Sequence, residues 1–231
     1  MEKVQETPTD WSFRFSVPEG FVYLAGQYSV IRVQLTHPDT RSNARTCSFS
    51  SSPTESYLQF TFTIRDTGFK NTLMQMVPGT EVELTTPRGK MTLEEVSTHN
   101  CVMVAGGVGV TPYRGIIKCA YDRKLADRHV TLLYSDKTIE ELAFYSELEA
   151  IQKDYTFRVL YTLTRHSPEA GSWPGRLGRI DQAFISENAP NLADTTFMVC
   201  GPVEMAQAAI AHLESLGIPK EKIISELFTG Y

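Results

Sequence analysis

Glycines at 106, 107 and 109, followed by Thr111 and Pro112, close an apolar run that begins Cys101-Val102-Met103-Val104-Ala105. Residues of this kind can hold an anion. A glycine turn lets backbone N–H groups come close to a ligand. A helix starting behind it, with Thr111 suited to cap it and Pro112 to its first turn, aims its positive end at the same point. The layout is that of a nucleotide-phosphate cradle at the end of a strand. Two further stretches combine polar chemistry with short spacing. In Arg45-Thr46-Cys47-Ser48, an arginine able to clamp a phosphate and a hydroxyl able to reach a polar ring edge stand at opposite ends of one short strand. In Gly68-Phe69-Lys70-Asn71-Thr72-Leu73 a short helix is expected to open, its backbone N–H groups at 70 to 72 facing a second anion.

Composition narrows the company such sites can keep. The chain has 231 residues, enough for one large domain or two modest ones. With 22 Lys and Arg against 27 Asp and Glu, the net charge of −5 provides no broad basic field, so neither nucleic acid nor an anionic membrane surface is an expected partner. The start, Met1 to Glu6, lacks the apolar core of an export signal, and no apolar run is long enough to span a bilayer; a cytoplasmic location is expected. The four cysteines, at 47, 101, 119 and 200, form no Cys-x-x-Cys pair, and no metal site, iron–sulfur cluster or disulfide framework is expected from them.

The elements that would position these residues change character near residue 100. Before it the apolar pattern has period two, clearest in Leu58-Gln59-Phe60-Thr61-Phe62-Thr63-Ile64, which predicts a half-buried antiparallel strand. Further short strands are expected at 11–17, 28–35, 47–50 and 81–84, separated by turns such as Pro18-Glu19-Gly20 and Pro78-Gly79, and together they make a small barrel. Beyond residue 100 the period becomes helical: Tyr113, Ile116, Ile117, Ala120 and Tyr121 share one face behind the glycine turn. A strand at 129–135, a helix from Thr138 opened by a Thr138/Glu141 capping box, strands near 157–163 and 196–200, a helix at 204–216 and a last strand near 223–228 complete a parallel-sheet pattern with crossover helices. The boundary between the two parts is expected within Glu94 to Asn100.

Taken in order, these motifs resemble those of the ferredoxin–NADP reductase family of FAD-dependent oxidoreductases, over essentially the whole chain. Arg45-Thr46-Cys47-Ser48 approaches the family's Arg-x-Tyr-Ser, Gly107 to Pro112 matches its Gly-x-Gly-x-x-Pro, and Cys200-Gly201-Pro202 matches its Cys-Gly-Pro strand end. Gly26-Gln27-Tyr28, Pro87-x-Gly89 and a Glu226-x-Phe228 tail ending in Tyr231 support the likeness. The resemblance implies an N-terminal antiparallel β-barrel FAD-binding domain, residues 1–97, followed by an α/β parallel-sheet, Rossmann-like NAD(P)-binding domain, residues 98–231.

It also implies roles. Arg45 would pair with the FAD pyrophosphate, assisted by the amides of Lys70, Asn71 and Thr72, while Thr46 and Cys47 lie along the flavin and Ser48 sits against its N5 edge. Cys200 would stand where nicotinamide approaches the flavin, with Gly201 and Pro202 beside it, and Glu226 could relay a proton near the ring. Phe228 or Tyr231 could cover the flavin face. Two positions depart from the pattern. Cys47 stands where an aromatic is usual, so stacking there would fall to Tyr28 or Phe49, and Lys70 stands where many relatives have serine. For the pyridine nucleotide, Gly106, Gly107, Gly109 and Thr111 would cradle phosphate beside Ser135. Lys137, Arg165 and Arg176 resemble a set that holds the 2′-phosphate of NADPH, whereas Asp136 suits the free ribose of NADH. The implied reaction moves a hydride from NADPH or NADH to flavin N5 and electrons onward to a separate ferredoxin or flavodoxin. Reduction of free flavin or another small molecule, and service as an electron-transfer or regulatory subunit active only within a larger complex, are the alternatives.

Overall fold

The computed structural model describes residues 1–37, 39–125, 127–155, 157–166 and 173–228. The first part is antiparallel. Strands β1 (Glu2–Gln5), β2 (Asp10–Ser16), β3 (Tyr28–Arg32), β4 (Ala44–Ser48) and β5 (Tyr57–Thr63) precede helix α1 (Gly68–Gln75) and the short β6 (Glu83–Leu84). They form two three-stranded sheets, ordered β1-β2-β5 and β4-β3-β6. Phe13, Ile31, Phe49, Leu58, Phe60, Phe69 and Leu73 are fully buried between these sheets and α1.

Two expectations change here. Strand β4 begins at Ala44 and ends at Ser48, so Phe49 and Ser50 fall beyond it. Strand β5 is buried on both faces, not half-exposed. Its polar residues are matched by partners and not by water: Arg14 Nε donates to Gln59 Oε1 at 2.8 Å, Gln59 Nε2 to Ser50 Oγ at 3.2 Å, and the Thr61 hydroxyl lies 2.7 Å from that of Ser12 and 2.8 Å from that of Ser50. Satisfied hydrogen bonds remove most of the cost of burying such groups.

The second part is a six-stranded parallel sheet. It runs β7 (Asn100–Gly106), α2 (Thr111–Asp122), β8 (His129–Asp136), α3 (Tyr145–Asp154), β9 (Phe157–Leu163), β10 (Arg176–Leu177), α4 (Gln182–Asn188), β11 (Thr195–Pro202), α5 (Val203–Ser215) and β12 (Ile223–Phe228). The order across the sheet is β10-β9-β8-β7-β11-β12. Central β7 has no exposed residue, as its unbroken apolar run requires of a strand covered on both faces. Helices α2 and α3 cover one face, α4 and α5 the other. The chain leaves β7 toward β8 on one side, and β11 pairs on the other, so a crevice opens at the C-terminal ends of β7 and β11.

Local signals for helix starts were less reliable than the period. Thr111 does not cap α2; a 3₁₀ turn over Gly107–Val110 leads into the helix, and Thr111 is its first residue, with Pro112 in the first turn as expected. Thr138 and Glu141 bracket only a 3₁₀ turn, Ile139–Glu141, and α3 starts at Tyr145 after Phe144 takes a left-handed conformation at φ 61°. Strand β1, strand β10 and helix α4 carry too short a pattern to have been anticipated. Met205 and Leu216 of the last helix are only partly buried, and Ala206 takes the inward place with Ala209 and Leu213.

Candidate functional site

The two parts meet at a cavity of about 330 Å³ lined by Tyr28, Arg45, Thr46, Cys47, Ser48 and Lys70 from the first and by Val108, Thr111, Glu226 and Phe228 from the second. Strand β4 sets its floor. At one end of β4, Arg45 donates from Nη1 to the carbonyls of Ser42 (2.6 Å) and Ala44 (2.8 Å) and lies 5.1 Å over the Phe69 ring. Lys70 is 8 % exposed. Burial, together with the nearby Arg65 and Arg45, holds its pKa below the ordinary lysine value. Among the described residues neither Arg45 nor Lys70 forms an ion pair. Two cations at one end of a cavity, one of them short of solvent, are stabilised by a bound anion.

The amides of α1 differ from expectation. Lys70 N donates to the Thr67 hydroxyl at 3.3 Å, Asn71 N to the Thr67 carbonyl at 2.8 Å, and Gly68 N to the Asp39 carboxylate at 2.7 Å. The first turn therefore has its own acceptors. Asn71 uses its side chain on Asp66, and the Thr72 hydroxyl meets the Thr36 amide and hydroxyl, so neither side chain reaches the cavity.

At the other end of β4, Ser48 is 2 % exposed and donates to Glu226 Oε2 at 3.4 Å. The parallel register of β11 with β12 sets Glu226 beside Cys200, which is itself in register with Ala105 of β7. Glu226 Oε1 is buried with no partner. Burial raises the Glu226 carboxyl to about 7, with the Ser48 hydrogen bond opposing. The residue that admits this carboxylate is Gly89: at φ 108° a side chain is disfavoured, and a Cβ there would stand 2.9 Å from Glu226 Oε1 and 2.9 Å from Tyr28 Cδ1. Cys200 has no exposure, and burial, with Glu226 adding, keeps its thiol protonated. Burial likewise pushes the Cys47 thiol up to about 12. Phe49 belongs to the core, 4.3 Å from Tyr23 and 5.0 Å from Phe60 between ring centres, so of the two candidates it is Tyr28 that lines this wall, together with Phe62. Phe228 lines the cavity. Tyr231 lies outside the described residues.

Beyond the cavity the glycine turn packs tightly. A Cβ on Gly109 would lie 2.4 Å from the Cys200 carbonyl oxygen and 2.6 Å from Gly201 Cα, and one on Gly106 would lie 2.7 Å from Met205 Cε. Thr111 and Ser135 are buried, Pro202 partly so. The candidate cations separate. Arg165 N donates to the Lys137 carbonyl at 2.8 Å, which brings these two residues side by side at the ends of β8 and β9; Arg165 is exposed, and Lys137 Nζ sits 2.9 Å from Glu141. Arg176 instead pairs with Asp181 and lies 4.5 Å over Phe184. Asp136 accepts from Lys137 N at 2.8 Å and faces Gly107, whose Cβ would lie 3.9 Å from its Oδ2; burial, with Glu141 and Asp10 adding, raises this carboxyl to about 7. The sequence offered no sign of the Gly89–Glu226 contact, because nothing local to either residue reports the other.

A family model described as "Oxidoreductase NAD-binding domain" matches residues 103–210. "Flavohemoprotein A" of Dictyostelium discoideum is 31% identical over 98% of this chain and 58% of its own length. "NADH-cytochrome b5 reductase 1" of Eremothecium gossypii is 26% identical over 93% of this chain and 76% of its own. Among solved structures, a ferredoxin NADP+ reductase from Neisseria gonorrhoeae, with bound FAD and NADP, superposes with a TM-score of 0.79 at 24% identity, covering 96% of this chain and 94% of that one. The chain thus spans little more than half the length of the first of these relatives.

Proposed function

We propose that the chain, whose parallel-sheet part matches an oxidoreductase NAD-binding model and whose two-part fold is shared with a ferredoxin NADP+ reductase, is a flavoprotein oxidoreductase of that kind, binding FAD in the cavity and taking reducing equivalents from a nicotinamide dinucleotide. The observation that carries the reading is the cavity's polarity. Arg45 and Lys70, which form no ion pair among the described residues, supply positive charge at one end, and the Ser48 hydroxyl and a carboxyl poised near neutrality stand at the other. That donor set fits a pyrophosphate at the first end and a ring edge that exchanges a proton at the second. When bound there, FAD would supply hydride acceptance from nicotinamide and release of electrons onward. The chain's own part is to bind and orient. Arg45 and Lys70 neutralise phosphate, Tyr28 and Phe228 exclude water from the cavity walls, Ser48 holds a hydroxyl at the ring edge, and Glu226 stores or yields a proton beside it.

The nucleotide belongs in the crevice over the glycine turn. Lys137 and Arg165 share the strand edge where an adenosine ribose would rest, and Asp136 faces the same turn. A separate protein serves as acceptor in this reading; the names of the two curated relatives point to haem carriers, while ferredoxin or flavodoxin remains the reading from the resemblance. We place the domain boundary at residues 97 and 98, between β6 and β7. A reducing, cytoplasmic setting is part of this reading, resting on the scattered spacing of the cysteines at 47, 101, 119 and 200.

Extraction and mass analysis of flavin from the purified protein is expected to yield FAD; FMN or no flavin would overturn the assignment. Arg45→Ala is expected to weaken FAD by about tenfold to a hundredfold, the worth of one charge-assisted contact of roughly 1.5–3 kcal/mol, read by titration of the stripped protein. Ser48→Ala is expected to slow reduction of the bound flavin by on the order of a hundredfold while nucleotide affinity stays near the parent's. Stopped-flow reduction decides it. A parent rate with a raised dissociation constant would make Ser48 a packing residue.

A further inference from the structure

Helix α2 carries a charge where a helix against a sheet ordinarily carries none. Residues 111 to 117 are all buried, and Arg114 among them is 5 % exposed. Every guanidinium nitrogen is used. Nε donates to Glu147 Oε2 at 2.8 Å, and Nη2 to Glu147 Oε1 at 2.7 Å and to Glu55 Oε1 at 2.9 Å. Nη1 donates to the Ser50 carbonyl at 3.0 Å and to Glu55 Oε2. Glu147 lies on α3, in the parallel-sheet part; Glu55 and Ser50 lie between β4 and β5, in the antiparallel part. Glu55 is itself held by the Ser52 amide and the Tyr57 hydroxyl. The next residue, Gly115, brings backbone onto backbone, for a Cβ there would stand 2.7 Å from the Ser51 carbonyl oxygen and 3.1 Å from that of Phe49.

The connectivity gives this contact its consequence. The segment 49–52 follows directly from Ser48, and α2 follows directly from the glycine turn at 107–110. A buried ion triad is a weak source of stability, because desolvation offsets most of the attraction. What it does supply is geometry. A planar fork satisfies two carboxylates and a carbonyl in one arrangement only, which a lysine or a looser apolar contact would not impose.

We propose that Arg114 is a positioning residue that sets the separation and angle between the Ser48 wall of the antiparallel part and, in the parallel-sheet part, Glu226 and the glycine turn beside Cys200, so that the rate of transfer between the two parts depends on a side chain touching neither ligand. The rate readout rests on the reading under Proposed function. Arg114→Lys keeps the charge and loses the fork, and Glu147→Gln keeps the bonds to Glu55 and Ser50; should the first fail to fold, the second carries the test. Both are expected to retain FAD and nucleotide affinity within about twofold, yet to reduce their flavin with NADPH or NADH about ten- to a hundredfold more slowly than the parent, the cost of misplacement by about an ångström. A parent rate, or a loss of rate that only tracks lost FAD, overturns the proposal.

Amide hydrogen exchange separates this outcome from failure of the functional reading. In either variant, exchange is expected to quicken about tenfold or more at residues 49–52 and 107–110 while β8 and β9 stay as in the parent. If the parent flavin resists both nucleotides, the proposed reaction is wrong and exchange alone decides for Arg114: quickening at both segments supports the clamp, and unchanged exchange overturns it.

Discussion

Gly109→Ala is expected to destabilise the protein by roughly 3 kcal/mol and to slow nucleotide-dependent reduction about a hundredfold. The added Cβ would lie 2.4 Å from the Cys200 carbonyl oxygen, 2.6 Å from Gly201 Cα and 2.7 Å from the Cys200 carbonyl carbon. All three are backbone atoms at the end of a central strand, so no rotamer change relieves the contact, and close-packed surroundings transmit the strain. The glycine turn must then part from β11, which moves the floor of the nucleotide crevice. Gly107→Ala makes a useful contrast. Its Cβ would meet only Asp136 Oδ2, at 3.9 Å, and the φ of 53° there leaves a conformational cost of about 1–2 kcal/mol without the clash. Urea unfolding of both variants, with stopped-flow reduction, checks the ranking. Equal behaviour of the two alanines would mean that the turn and the end of β11 are not in contact.

Stability of the flavin-stripped protein is expected to fall as pH rises from about 5 to 8, and Glu226→Gln with Asp136→Asn is expected to abolish most of that slope. Both carboxyls sit near 7 in the fold, against 4.5 for glutamate and 3.8 for aspartate outside it, and burial is the leading cause for each. A group with a raised pKa takes up a proton on folding between its unfolded and folded values. The stability it contributes is therefore present at low pH and lost as pH climbs through the folded value. Full burial would set the loss at roughly 3 kcal/mol for each carboxyl, and partial access to solvent brings the pair nearer about 3–4 kcal/mol together. Glu6 and Asp10 share the sign. Glu55 has the opposite one: burial raises its pKa, but the Arg114 hydrogen bond and charge outweigh it and hold the carboxyl low, so its contribution is lost only as pH falls into the acid range. Denaturant midpoints at pH 5, 6.5 and 8 test the point. A parallel pH profile in the double variant would show that neither carboxyl is desolvated.

Local pattern determined a good deal about this chain. The switch from period two to helical period near residue 100 reports two kinds of layer, because side-chain direction repeats with backbone geometry whatever lies across the way. The glycine turn at 106–109, with Pro112 behind it, marks a strand-to-helix crossing for the same reason, since the backbone angles it needs are a local property. Arg45 and Ser48 do share one short strand, as their pattern suggested, although that strand starts at Ala44 and stops at Ser48 where 47–50 was expected.

Only the tertiary structure decided which polar groups meet. Ser48 reaches Glu226 across 178 residues, and Arg114 joins Glu55, 59 residues before it, to Glu147, 33 residues after it. Phe49, a candidate for the flavin wall, turned into the core, and Arg176, a candidate for a nucleotide phosphate, turned to Asp181. The alternating strand at 57–63 kept its period but lost its exposed face, because Ser12, Arg14 and Ser50 stand where water was expected. Periodicity tells which residues share a face. Whether a polar face is wet or bonded, and whether a cation waits for a ligand or already has a carboxylate, depends on the element packed opposite, and that element is set by the packing of the whole chain.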